Sequence, residues 1–115
     1  MAVPHPLPPE LAGLIAERFR ALAEPMRVRI LDALRGGDAA VGELAERLGT
    51  SQQNVSRHVS VLVGAGIVGR EKVGTSVRLH IADPAVFDLC EAVCGGLGRE
   101  LERLRSILET TEVTP

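Results

Sequence analysis

Two helical patterns separated only by Gly49 and Thr50 constrain this 115-residue chain more than any other feature. Before the link, Val41, Leu44, Ala45 and Leu48 share one side of a helix over residues 40–48, with Glu43, Glu46 and Arg47 on the other. Gly49 closes it, because glycine takes the left-handed backbone of a helix C-terminus without a Cβ penalty. Thr50 as N-cap and Gln53 three residues on have capping-box spacing, so a further helix starts at once. So brief a link forces a steep crossing, which predicts a helix-turn-helix whose second helix enters a groove.

Val55, Val59 and Leu62 fall on one face of that second helix, and Gln53, Ser56, Arg57 and Ser60 on another. Glutamine donates and accepts on a base edge, arginine grips guanine with two parallel bonds, and serine reaches phosphates. A merely solvated face is the alternative, but Lys and Glu, the usual solvating choices, are absent from residues 51–63. Gly64-Ala65-Gly66 ends the helix. A β-hairpin is expected next: one strand from Ile67 to about Lys72, a turn at Val73-Gly74-Thr75, and a return over residues 76–81 with Val77, Leu79 and Ile81 alternating against polar residues.

The chain is mildly acidic overall, with 13 Lys and Arg against 15 Asp and Glu. Between residues 50 and 80, however, Arg57, Arg70, Lys72 and Arg78 face only Glu71, which is the electrostatic footprint of a nucleic-acid binder. Arg70, Lys72 and Arg78 make the hairpin a basic wing; the alternative is a structural hairpin with solubilising charges. Phe19 and Phe87 are the only aromatic residues, so there is no row of rings for single-stranded bases to stack on. The expected ligand is therefore double-stranded DNA.

Upstream, a proline-rich tail over residues 1–9 leads into a helix with Leu11, Leu14, Ile15, Phe19 and Leu22 on one stripe. Pro25 starts a second helix carrying Met26, Ile30, Leu31 and Leu34, and Gly36-Gly37 stops it. Downstream, Asp83-Pro84 has the form of an N-cap and first-turn proline. Then Phe87, Cys90, Cys94, Leu97, Leu101, Leu104 and Leu108 recur at alternating spacings of three and four, a heptad seam that wants a partner helix. Gly95, Gly96 and Gly98 weaken the same helix by roughly 1 kcal/mol each and suggest close helix approach or a bend after Cys94. The expectation is one domain over residues 10–109, mainly α with a small β-hairpin, and a C-terminal tail over 110–115. Leu11, Leu14 and Phe19 of the N-terminal helix and the seven seam residues would form a homodimer interface.

The run Ser51-Gln52-x-x-Val55-Ser56-x-His58-Val59-x-x-Leu62-x-x-Ala65-Gly66-Ile67-Val68, with Gly74 in the wing, resembles the ArsR/SmtB family of bacterial winged-helix repressors. Phe19-Arg20-Ala21-Leu22-Ala23-Glu24-Pro25-Met26-Arg27 and Ile30-Leu31 are similar to the same family's approach to its second helix. The resemblance covers about residues 15–108 and implies a dimeric winged helix-turn-helix on an inverted-repeat operator, released by an inducer. Gln52, Gln53, Ser56 and Arg57 would read or position bases, and Thr50, Ser51, His58, Arg70, Lys72, Thr75 and Arg78 would hold phosphates or the minor groove, with packing the other role open to His58. One metal site of that family uses a Cys-x-Cys box where this chain has Ala40 and Gly42. Another begins at the position of Asp83 but continues where this chain has Ala85, Gly96 and Arg99. Neither donor set is present.

Cys90 and Cys94 stand one helical turn apart and leave three readings open. They could hold a thiophilic ion such as arsenite, cadmium or zinc, with four sulfurs along a dimer seam. They could act as redox or reactive-sulfur thiols, or pack as small buried hydrophobes. Two cysteines make no disulfide framework, and neither a leader nor an 18-residue apolar run is evident, which suggests a cytoplasmic protein with no membrane role. No Gly-rich phosphate loop, Cys-x-x-Cys or nucleophile elbow suggests an enzyme. The rival of another class is a protein-interaction module that uses the winged helix without reading DNA.

Overall fold

The computed structural model describes residues 2–110, which fall into two compact units divided between Asp83 and Pro84. In the first unit the order is α1 (Pro9–Leu22), α2 (Pro25–Arg35), α3 (Val41–Leu48), α4 (Gln52–Gly64), β1 (Val68–Val73) and β2 (Ser76–Ile81). Prolines open α1 and α2, where the missing N–H has no intrahelical partner to lose. Glu24 caps α2 by accepting a hydrogen bond from the Arg27 backbone N–H at 3.2 Å.

Ile30, Leu31 and Leu34 of α2, Leu44 of α3, Val55, Val59 and Leu62 of α4, and Ile67 and Leu79 around the hairpin make one buried core. Each such aliphatic side chain contributes roughly 1.5–3 kcal/mol relative to exposure. The core therefore fixes α4 on its scaffold by the face that carries Val55, Val59 and Leu62. The stripe expected on α1 is not buried within the protomer: Leu14 is 62% exposed and Phe19 52%, and Ala21 is the buried residue of α1.

α4 ends in paired bonds, Ile67 N–H to Leu62 C=O at 3.0 Å and Gly66 N–H to Val63 C=O at 3.0 Å. That closure needs a left-handed residue, which Gly66 supplies at φ 75°. The two strands pair antiparallel from Val68 opposite Ile81 to Val73 opposite Ser76, one residue later at the start of β1 than the sequence pattern suggests. Leu79 also exchanges both backbone bonds with Ala39, at 2.8 and 3.1 Å, so a single residue between α2 and α3 extends the wing into the core.

The second unit is dominated by α5 (Val86–Thr110), 25 residues assigned helical without interruption through Gly95, Gly96 and Gly98. At its entry the Pro84 and Ala85 carbonyls accept from the Phe87 and Asp88 N–H groups, both at 3.1 Å, and the helix proper begins at Val86. The seam leucines stand open within the protomer, Leu97 at 66%, Leu101 at 67% and Leu108 at 70% exposed. No helix among the described residues is long and apolar enough to cross a membrane. The tail over 110–115 lies, beyond Thr110, outside the described residues.

Candidate nucleic-acid interface

The link between α3 and α4 has the conformation its residues dictate. Gly49 is left-handed at φ 66°, ψ 38°, and the Thr50 N–H returns to the Ala45 carbonyl at 3.0 Å. With its N–H spent on closing α3, Thr50 is not the N-cap of α4. Ser51 is: its backbone is extended and its Oγ accepts from the Asn54 N–H at 3.1 Å. The Thr50 hydroxyl instead accepts from the Asn54 side-chain amide at 3.0 Å.

Gln52, Gln53, Ser56, Arg57 and Ser60 are exposed along the face of α4 opposite its buried residues. The Gln52 amide lies against α3, because a Cβ on Gly42 would meet its Nε2 at 3.4 Å. Arg57 donates to Asn54 Oδ1 at 2.8 Å. Asn54, which the sequence reading left out of the site, thus links Thr50 to Arg57; its position four after one and three before the other was the available signal.

The wing divides its cations. Arg70 of β1 donates to Ser60 Oγ at 3.1 Å, which sets that strand beside the exposed face of α4. Lys72 and Thr75 are exposed toward the tip. Arg78 is not presented as a phosphate contact: one guanidinium nitrogen pairs with Glu43 at 2.7 Å and the other donates to the Asp38 carbonyl at 2.6 Å. Glu43 also accepts from the Ala40 N–H at 3.2 Å. That bond, with Arg78 and Arg47 nearby, holds its carboxyl below the usual carboxylate range. Arg78 is thus a strut from β2 to the start of α3.

His58 faces inward, so of packing and phosphate contact it takes the first. It is 3% exposed, with Arg27 Nη1 3.2 Å from Nδ1, Arg57 Nη2 3.3 Å from Nε2, and Glu24 Oε2 3.7 Å from Nε2. Burial first, then the two guanidinium charges, lower its pKa below the ordinary imidazole value against the opposing pull of Glu24. A buried neutral ring is not a phosphate ligand.

The metal question turns on donor chemistry. Asp83 is occupied in an ion pair with Arg18. Ala40, Gly42, Ala85, Gly96 and Arg99 offer no ligand atoms, so the two family sites do not fit this chain. Cys90 is half-buried and Cys94 exposed, neither in a disulfide. Among the described residues no three His, Cys, Asp or Glu side chains gather as a metal would require.

A helix-turn-helix domain family model matches residues 22–70, from the end of α1 into the first half of β1. The chain is 39% identical over 80 residues to the repressor SmtB of Mycobacterium tuberculosis, covering 70% of this chain and 59% of SmtB. It is 36% identical over 100 residues to the regulator Rv0081 of the same organism, covering 86% of this chain and 88% of that one. The chain belongs to the ArsR/SmtB family. Among solved structures this ArsR/SmtB chain superposes on Rv0081 with a TM-score of 0.73, covering 81% of this chain and 94% of that one. It superposes equally, at 0.73 and 30% identity, on the homodimeric winged helix-turn-helix DNA-binding domain of Mb0332 from Mycobacterium bovis, covering 82% and 87%. Against curated relatives such as SmtB the chain spans about six-tenths of their length. These relatives are transcriptional regulators, in keeping with the absence of any enzyme motif from the sequence reading.

Proposed function

We propose that this ArsR/SmtB chain is a homodimeric, sequence-specific DNA-binding repressor that reads an inverted repeat in duplex DNA. The observation that carries the reading is the two-sided α4: Val55, His58, Val59 and Leu62 pin one side, while Gln52, Gln53, Ser56 and Arg57 stand exposed on the other. Base edges are read by these residue types, and Ser51, Arg70, Lys72 and Thr75 supply phosphate contacts beside them. The open leucine seam of α5 is the surface a second copy covers, and the exposed Leu14 and Phe19 of α1 are further dimer contacts. Two α4 helices related by a two-fold axis would then reach successive major grooves about 34 Å apart.

The test is fluorescence anisotropy on the chain's own upstream duplex against a scrambled one. Selective binding that weakens steeply with salt, through release of counterions, is the expected result. Arg57→Ala should remove most of the selectivity while the dimer survives. Salt-insensitive or unselective binding would replace this reading with the protein-interaction module.

Within the same proposal, Cys90 and Cys94 are the inducer-sensing thiols, supported by their one-turn spacing on α5 and the exposure of Cys94. Two sulfurs from each protomer would give a thiophilic ion such as arsenite its ligands across the seam. The inducer would favour a DNA-incompetent dimer by about 1–3 kcal/mol of coupling. Release of the duplex by arsenite should vanish in the double variant Cys90→Ser, Cys94→Ser; release that persists there leaves the cysteines as packing.

A further inference from the structure

His58 lies between two arginines that it cannot both satisfy. A guanidinium only donates, and a neutral imidazole has a single accepting nitrogen. Its tautomer therefore decides whether Arg27 at Nδ1 or Arg57 at Nε2 gains a hydrogen bond. Arg27 is the more tightly held, since Nε donates to the Ala21 carbonyl at 2.6 Å and Nη2 to the Arg20 carbonyl at 3.1 Å, both in the last turn of α1. Arg57 has another acceptor in Asn54 Oδ1 at 2.8 Å. The Glu24 carboxylate faces Nε2, where a hydrogen is favoured and a lone pair is not. All three constraints select the same form, with Nδ1 accepting from Arg27 and Nε2–H toward Glu24.

We infer that Glu24, Arg27 and His58 are positioning residues for DNA reading: a neutral, Nε2–H His58 clamps α4 to the last turn of α1 through Arg27 and leaves Arg57 free for the duplex. In that tautomer the ring and Arg57 meet donor to donor, so Asn54 alone holds Arg57 until a base edge replaces it. The inference rests on the DNA-reading proposal and names what orients its principal arginine. Acid opens the clamp. The charged groups acting on the ring are Glu24 and Arg27 at the start of α2 and Arg57 on α4 itself, while α1 presents carbonyls to Arg27. A second ring proton turns Nδ1 into a donor against the Arg27 guanidinium, and only Glu24 gains.

The test combines two variants with one spectroscopic readout. In His58→Asn a side-chain oxygen can accept from Arg27 without titrating, whereas in His58→Phe the ring is kept and the acceptor lost. At about pH 8, His58→Asn should bind the duplex within about threefold of wild type and His58→Phe about tenfold more weakly, the cost of an orphaned donor. Between about pH 8 and pH 5.5 only wild type should show the His58 step in affinity. Nitrogen-15 NMR of the histidine ring, assigned by its absence in the variants, should show the Nε2–H form. An Nδ1–H form, or two variants that bind like wild type at every pH, overturns the inference. Should wild type bind no duplex selectively, the DNA-reading proposal fails, and the tautomer decides the clamp alone: Nε2–H upholds it, Nδ1–H overturns it. Circular dichroism of both variants separates loss of fold from loss of the clamp.

Discussion

Lys72→Ala and Arg78→Ala should behave oppositely, although both remove a cation from the same hairpin. Lys72 is exposed toward the wing tip, whereas both terminal nitrogens of Arg78 are occupied, by Glu43 at 2.7 Å and the Asp38 carbonyl at 2.6 Å. A phosphate neutralised in duplex DNA contributes about 0.9 to the slope of log affinity against log salt, hence about 1.8 for two protomers. Over a fourfold rise from about 50 to about 200 mM salt, that slope amounts to about twelvefold in affinity. Wild type should therefore lose about twelvefold more affinity over this range than Lys72→Ala, and the same amount as Arg78→Ala. Arg78→Ala should instead lower the thermal midpoint, because it detaches β2 from the start of α3, while Lys72→Ala leaves the midpoint unchanged. Anisotropy titrations across a salt series, with thermal melts of the same preparations, make both measurements. The strut assignment is wrong if Arg78→Ala flattens the salt slope as Lys72→Ala does and melts with wild type.

Three further outcomes are expected. Gly69→Ala places a Cβ 2.4 Å from Nε2 of the cross-strand His80 ring and should cost about 1–3 kcal/mol in urea unfolding at fixed protein concentration; adding His80→Ala should recover most of it, and purely additive losses would refute the clash. Leu104→Glu puts a charge on the open seam of α5 and should shift sedimentation from dimer to protomer with helical content unchanged; an intact dimer would move the interface elsewhere. Because the folded pKa of His58 lies below its ordinary value of 6.5, the unfolded chain binds the proton first, so stability is full above about pH 6.5 and falls as pH drops toward the folded value. His58→Asn should flatten that part of the stability profile, and an unchanged profile would remove His58 as its source.

The helices of the first unit were legible because each carries its own periodicity: the stripes of α2, α3 and α4 supply the core, whereas of the alternating residues of β2 only Leu79 is buried and Val77 is exposed. What the sequence hid is pairwise and long-range. Nothing in Asp38-Ala39-Ala40 announces that Ala39 would bond Leu79 forty residues away. Arg78 alternates outward as expected, but its partner Glu43 lies 35 residues upstream and only the folded chain brings them together. His58 is a different case. It is three residues after Val55 and four before Leu62, so helical spacing puts it on the core face, and of the two roles open to it, packing and phosphate contact, the fold selects the first. Thr50 and Ser51 both have capping chemistry, and only the backbone closure of α3 decides between them. The unburied stripes of α1 and α5 follow from their composition, since leucine at seam spacing does not distinguish a core within one chain from an interface between two.

The charge of the chain is partitioned in the same way as its fold. Met1–Asp83 carries ten bases against nine acids, while Pro84–Pro115 carries three against six, so the net acidity belongs to the unit containing α5. Within the first unit the excess of bases lies in residues 50–80, where Glu71 is the one opposing charge. Glu71 pairs in register with Arg78, whose guanidinium is committed to Glu43. Glu71 therefore acts on approaching DNA as a repulsive charge on the wing. For a phosphate about 10 Å away in water the repulsion is about 0.4 kcal/mol before screening, twice that for two protomers. Screening leaves about three-quarters of this at 0.01 M salt and under a third at 0.15 M. Glu71→Gln should thus tighten duplex binding about threefold at low salt and less than twofold near physiological salt. The gain should appear equally on operator and scrambled DNA, since no base edge is involved. A gain confined to the operator would mean that Glu71 takes part in reading sequence.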